Sequence, residues 1–292
     1  NSVKDILSTG STQQGIGNGD LNQIPIFIPP FTEQEKIAEI LAAVDENIEE
    51  TDRIIKESEQ IKKGLMNHFF SKESKSKMHK VKFSDVLVQL KRGYSLATNS
   101  ECKGVRYLTS GNLLNDEIYW GEEKYLDTDK PLDNCLLKKN DLLINCVNSY
   151  EKLGKVALFE GAPEKVVVGF NNFGLEFKEL INPLYAKFYC MQDDFQTQIK
   201  RISKPAVQQV SFSGKDLLRM DFYYPSKQEQ DKIASVLLSI NNRVKTEIKK
   251  QEGLQERVRA LRTHVSAPAR GGQVLVPRTR ADRRGALVRP DR

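Results

Sequence analysis

Residues that carry chemistry are scarce in this chain. Among 292 residues there are three His (His68, His79, His264), four Cys (Cys102, Cys135, Cys146, Cys190) and a single Trp. The cysteines form no CxxC pair and have no His nearby in sequence. They read as reduced thiols buried like small hydrophobes, and neither a zinc site nor a His-based catalytic centre is expected. No run of about 18 apolar residues occurs, which excludes a helical membrane span. The opening NSVKDILSTG lacks the basic segment and apolar stretch of a secretory signal, so a cytoplasmic protein is expected. It also lacks an initiator Met, which reads as a start inside a longer reading frame.

Charge is unevenly spread. The formal net charge is +6, but residues 267–292 hold seven Arg against two Asp, so most of the excess sits in that tail. A nucleic-acid partner must therefore be argued from elsewhere than overall charge. The tail is Arg-rich and Lys-free where the body is Lys-rich, and it is expected to be disordered and non-native.

Two stretches imitate active sites. GIGNG (15–19) suggests a phosphate-cradling loop, but the DLNQIPIFIPP that follows contains prolines where a dinucleotide fold needs a helix. Ile28-Pro29-Pro30-Phe31 approaches the Asn-Pro-Pro-Phe/Tyr signature of amino-methyltransferases, yet Ile28 has no acceptor for an amino group. The glycines read as a turn, and the prolines as a strand stop that sets the angle of the following helix, with Thr32 and Glu35 forming a T-x-x-E capping box for it. No catalysis is expected of this chain, and no cofactor.

The chain repeats itself. Gln13, Gln14 and Gly19 return as Gln208, Gln209 and Gly214 at a shift of 195. After one inserted residue, Asp20, Leu21 and Pro29 return as Asp216, Leu217 and Pro225, and EQxKIAxxL follows both times (Glu33 to Leu41, Glu229 to Leu237). Each copy then continues in the 4-3 spacing of a heptad seam. In the first, Ile37, Leu41, Val44, Ile48, Ile55 and Leu65 carry the seam, with Thr51, Ser58 and Lys62 as polar intrusions. In the second, Ile233, Leu237, Ile240, Val244, Leu254, Val258 and Leu261 carry it, with Glu247 and Gln251 intruding. Neither run contains Pro, and each predicts a helix of about 55 Å. The two are expected to pair antiparallel within the chain.

Between them the pattern changes to short strands such as LLINCV (142–147), GKVALFE (154–160) and KVVVGF (165–170). One helix is predicted over Pro183–Ile202, capped by Asn182. The fold class is therefore α+β: a globular domain flanked by two long helices that pair as a coiled coil.

A domain ending in QQxxxxGxDL, a hydrophobic-Pro element, then EQxKIA and a long helix resembles the specificity subunit of type I restriction–modification enzymes, over about residues 8–266. The resemblance implies a remnant of a first target-recognition domain (1–30), spacer helix 1 (31–72), a complete target-recognition domain (79–226), spacer helix 2 (227–266) and the tail (267–292). It implies a non-catalytic reader of half of a split double-stranded DNA site. The modification (methyltransferase) subunits would dock on the coiled coil and a restriction subunit would join them. S-adenosylmethionine, ATP and Mg²⁺ would belong to those partners. One complete domain implies an N-terminally truncated or half-length subunit that could pair as a homodimer. The alternative is a coiled-coil interaction protein that binds no DNA.

Base edges are read by Arg, Lys, Asn, Gln and hydroxyl side chains on loops. The candidates in the domain are Lys91, Arg92, Tyr94, Ser110, Asn112, Asn148, Tyr150, Asn171, Asn172, Lys204, Gln208 and Gln209. The two glutamines recur in both copies, which suggests a shared structural or backbone-contacting role for them.

Overall fold

A computed structural model of the chain describes residues 26–114, 116–206, 209–265 and 273–275. The chain divides into two compact units, residues 1–55 with 246–292, and residues 56–245.

In the first unit, strand β1 (Ile26–Ile28) ends at Pro29-Pro30, which have no N–H to continue a ladder. Helix α1 (Phe31–Phe69) follows at once. The Pro30 carbonyl accepts from the amides of Glu33 (2.9 Å) and Gln34 (3.0 Å). Thr32 thus lies inside the first turn, and the expected T-x-x-E capping box does not open the helix. Helix α7 (Lys227–Val265) leads to β14 (Gln273–Leu275), which pairs antiparallel with β1 from Ile26↔Leu275 to Ile28↔Gln273. The start of α1 therefore lies beside the end of α7. Those three residues fall inside the segment expected to be disordered. The apolar run of Val274 and Leu275 supplies a strand there despite the surrounding arginines. In this unit the less exposed positions include Ile37, Leu41, Val44, Ile48, Thr51 and Ile55 on α1, with Glu247, Gln251, Leu254 and Val258 on α7, beside the neighbouring Asp52, Ile54 and Gly253. All but those three neighbours follow the heptad seam. The side chain of Leu261 lies outside the described residues.

In the second unit the seam continues through Ser58, Lys62, Leu65 and Phe69 against Ile233, Leu237, Ile240 and Val244. Lys62 Nζ donates to Asn241 Oδ1 at 2.5 Å, and Leu65, Met66 and Phe69 pack on the cluster containing Ile233, Ala234 and Leu237. The helices pack together antiparallel, as the sequence predicts. α1 ends at Phe69, and the polar hinge that follows contains a short helix α2 (Lys72–Ser76), capped by Ser71 Oγ accepting from Ser74 N.

Beyond it β2 (His79–Lys82) pairs with β13 (Asp221–Tyr224), so the strand after α1 closes on the strand before α7. Helix α3 (Phe83–Val86) leads into β3 (Leu87–Arg92). The central sheet has the order β3-β10-β6-β8, with β6 at Leu142–Asn145, β8 at Val156–Leu158 and β10 at Asn172–Phe177. Side chains alternate across a strand. Leu142 and Ile144 of β6 enter one apolar cluster with Tyr185, Tyr189 and Phe222, while Leu143 enters a second with Leu108 and Val167. Both faces are covered, which explains the unbroken apolar run LLINCV. A second sheet joins β5 (Tyr125–Leu126), β4 (Val105–Leu108) and β9 (Val166–Val168), the last two parallel. A third joins β11 (Lys204–Ala206), β12 (Gln209–Ser211) and β7 (Val147–Asn148).

The single helix predicted over Pro183–Ile202 is two, α4 (Pro183–Met191) and α5 (Asp193–Ile202). Gln192 between them is extended (φ −66°, ψ 149°), and no Pro or Gly marks the break. Asn182 caps α4 as expected, its side chain accepting from Leu184 N (2.8 Å) and Tyr185 N (3.2 Å).

The repeated motif has a structural explanation. Gln34 Nε2 donates to the Pro29 carbonyl and Gln230 Nε2 to the Pro225 carbonyl, the same bond five residues back in both copies. In the second copy the Gly-x-Asp-Leu element is a short helix α6 (Gly214–Leu218), capped by Ser213 and anchored by buried Leu217. Its counterpart, with GIGNG and the first Gln-Gln, lies outside the described residues.

Candidate nucleic-acid interface

Three of the residues singled out from sequence are buried, and that removes them from direct contact. Lys91 on β3 has a side chain 1% exposed, with its ammonium 2.6 Å from Asp141 Oδ2 and 2.9 Å from Glu176 Oε2. Burial raises the Asp141 carboxyl against the pull of the Lys138 amide and Lys91. Burial works the same way on Glu176, but Lys138 and Lys91 outweigh it and hold that carboxyl below its usual range. Lys91 is a core counter-ion. Asn112 accepts through Oδ1 from the Thr109 amide (2.8 Å) and donates to the carbonyls of Tyr119 and Glu122 (both 2.8 Å). Asn172 donates to the carbonyls of Leu108 (3.1 Å) and Thr109 (3.0 Å) and accepts from Asn145 Nδ2 (2.9 Å). All three are loop-holding or core residues, and a side chain with no solvent exposure cannot reach a base edge.

What they hold is a set of loops gathered at one end of the sheets. Gly93 follows β3 and Gly169 follows β9. A Cβ on Gly93 would stand 2.0 Å from the Val168 carbonyl oxygen, and one on Gly169 2.2 Å from that of Leu108. Both positions need glycine because the backbones approach so closely. The Tyr107 hydroxyl donates to the Tyr94 carbonyl (3.0 Å) and accepts from the Phe170 amide (2.6 Å). Burial raises its pKa, so it keeps the proton it donates. The Asn171 carbonyl accepts from the amides of Cys146 (2.8 Å) and Val147 (3.2 Å). Val147 in turn pairs with Ser211. The loops carrying Arg92, Tyr94, Ser110, Asn148 and Asn171 are thus tied to one another and to the β7-β12-β11 sheet.

That sheet carries the more accessible side chains. Asn148 on β7 faces Val210 across the ladder, Lys204 begins β11 and Gln209 begins β12, both exposed. Tyr150 is half exposed, and Lys200 of α5 lies over its ring at 5.2 Å. Gln196 Nε2 donates to the Gly154 carbonyl (2.9 Å), which fixes α5 beside this turn. Arg92 donates from Nε to the Phe170 carbonyl (3.0 Å), and its guanidinium stacks 4.2 Å from the Phe170 ring. Tyr94 donates to the Pro131 carbonyl (2.8 Å), with Lys130 over its ring at 5.1 Å. Lys152, Lys200, Arg201 and Lys204 add positive charge to the neighbouring turn and strands. Amide, ammonium and aromatic groups at a loop-rich end can hydrogen-bond base edges, meet phosphates and stack. Gln208 lies outside the described residues.

Sequence reasoning missed Lys200. It sits on a helix rather than a loop; its signal was the amphipathic spacing that buries Phe195 and Ile199 and leaves Lys200 half-exposed. Asn145 at the end of β6 is buried like Asn172, to whose Oδ1 it donates. Cys135, Cys146 and Cys190 are buried as expected, with burial pushing the Cys146 thiol up to about 12, whereas Cys102, expected to be buried with them, is exposed. Among the described residues no group of His, Cys, Asp or Glu could hold a metal ion, and no helix is long and apolar enough to cross a membrane.

An α+β domain with a polar, basic loop end, packed on an antiparallel helix pair, has the build of a recognition module. The sequence matches the type I restriction modification DNA specificity domain over residues 1–60 and 75–256, and the chain belongs to that family. It is 27% identical over 175 residues to a putative type I restriction enzyme MjaX specificity subunit of Methanocaldococcus jannaschii. That match covers 59% of this chain and 41% of the relative, so the matched stretch spans about two fifths of its length. The fold is similar to the type I restriction–modification S subunit of M. genitalium (TM-score 0.59, 19% identity, 91% of this chain and 69% of that one). It is also similar to the HsdS subunit of Thermoanaerobacter tengcongensis (TM-score 0.53, 15% identity, 90% of this chain and 67% of that one).

Proposed function

We propose that the chain is a non-catalytic, cytoplasmic DNA-reading subunit of a type I restriction–modification complex. Its domain reads one half of a split double-stranded site, and its helix pair docks the methyltransferase subunits. S-adenosylmethionine, ATP and Mg²⁺ act on those partners and on the restriction subunit. A second copy of the chain would supply the second half-site reader, which favours a palindromic target. The observation that carries the reading is the loop end, where Asn148, Tyr150, Lys200, Lys204 and Gln209 stand on one sheet and the turn and helix beside it. Family membership and the helix pair support it.

The test is co-expression with the neighbouring modification subunit, followed by genome-wide mapping of methylated adenines. A stable complex and one methylated motif are expected; no complex and no motif would refute the proposal. Substituting Asn148, Lys204 and Gln209 together by Ala is expected to weaken DNA binding by at least about 100-fold, since each good base contact contributes on the order of 1–3 kcal/mol. The thermal midpoint should hardly move, because these side chains are exposed or half-buried. Titration of fluorescent duplex against the reconstituted complex reads the affinity, and unchanged binding would remove this sheet from the reading face.

A further inference from the structure

Asp116 lies in a short turn of the recognition domain, buried, with φ +81°. A non-glycine residue in that region persists only where its surroundings hold it. Its surroundings are charged. The carboxylate meets Lys187 Nζ of α4 at 2.5 Å and Lys245 Nζ of α7 at 3.2 Å, and it accepts from Asn241 Nδ2 of α7. Asn241 accepts in turn from Lys62 of α1, and Lys245 also pairs with Glu117 at 3.0 Å. One carboxylate therefore joins the domain's own helix to both long helices.

We propose that Asp116 is a positioning residue that fixes the angle at which the recognition domain is carried on the helix pair. The first anchor of α7 lies near its start. There Gln230 and Asp231 bond Asn182, and Ile233, Ala234 and Leu237 enter the apolar core. Apolar burial is non-directional. A helix held only near its start can swing about that anchor. Lys245 stands 15 residues beyond Gln230, about 22 Å along the helix axis, so a second anchor there sets the helix direction. The turn that carries Asp116 is itself wired to the loop end. Asn172 bonds the Thr109 carbonyl, Asn112 bonds the Thr109 amide and the Tyr119 carbonyl, and Leu113 bridges Ile118. Buried ion pairs are screened little by salt, so the angle holds under conditions that weaken phosphate contacts. The purpose of the clamp rests on the DNA-reading proposal, but its test does not.

The test places spin labels on the full chain without DNA, after Cys102→Ser, at Lys139→Cys on the domain and Glu57→Cys on α1. Pulsed dipolar spectroscopy is expected to give one narrow distance peak. Asn241→Leu with Lys245→Met cuts the α7 arm and leaves the Asp116–Lys187 pair in place. Loss of the narrow peak with an unchanged near-ultraviolet circular dichroism spectrum is the expected result. A merely stabilising contact would lower the melting midpoint and leave the peak narrow, and that outcome overturns the proposal. If the double variant does not fold, Asn241→Ser alone is read by the same criterion. Failure of both to fold also overturns it, because the cluster would then be a requirement of folding. Methylation or DNA binding lost while the peak stays narrow would count against the DNA-reading proposal alone.

Discussion

Lys91→Met is expected to remove about 3–5 kcal/mol of folding stability, the usual cost of breaking a buried ion pair by deleting one partner. The side chains of Lys91 and Asp141 are 1% and 2% exposed, and Glu176 lies close by at 19%. Without the ammonium, two carboxylates share a poorly solvated site that Lys138 offsets in part, through its amide on Asp141 and its ammonium on Glu176. Methionine restores the volume of the stem, so the loss is electrostatic rather than a cavity. A second substitution, Asp141→Leu, should recover part of the stability by removing the carboxylate that Lys91 leaves behind. Urea unfolding of the three proteins measures this. The control is Lys204→Met, which takes away an exposed ammonium. It should leave the unfolding midpoint in place and lower only the salt dependence of DNA binding. If Lys91→Met unfolds like the parent and instead weakens DNA binding, the assignment of Lys91 to the core is wrong.

That pair of lysines shows where sequence reasoning worked and where it stopped. The long helices were legible residue by residue, because a heptad seam is a local pattern and the polar intrusions at Thr51, Ser58 and Lys62 kept its register. The repeat made the joints legible as well, and the shared Gln bond to the preceding Pro carbonyl is its physical content. The interior of the domain was less legible. Lys91, Asn112 and Asn172 have the composition of DNA contacts, and burial depends on long-range packing that no local window records. Asn112 and Asn172 satisfy carbonyls on strands and loops up to 64 residues away. The break at Gln192 and the strand at Gln273–Leu275 were invisible for a related reason. Neither carries a Pro, a Gly or a clear periodicity, and each is decided by what it packs or pairs against. The class of residue that reads DNA could be named from sequence, whereas its members separated only once exposed and buried side chains could be told apart.

Asn172→Ala is the sharpest probe of how the loop end is built. Asn172 is fully buried, and its amide satisfies two carbonyls and one side-chain donor at once. Alanine leaves the Leu108 and Thr109 oxygens and the Asn145 amide without that partner. An unmade bond to a buried polar group costs on the order of 1–3 kcal/mol, so a total near 3 kcal/mol is expected after the loops relax. The relaxation is the functional point. Thr109 leads into the turn bearing Ser110, and the Asn171 carbonyl ties the neighbouring loop to Cys146 and Val147, so both should loosen together. DNA affinity should then fall for matched and mismatched duplexes alike, because the geometry of the whole loop end is lost rather than one base contact. A directly reading Asn would behave in the opposite way, with discrimination lost at one base pair and stability kept. Competition titrations with single-position duplex variants, run beside urea unfolding, separate the two. A stable Asn172→Ala protein with relaxed choice at a single position would return Asn172 to the set of base-reading residues.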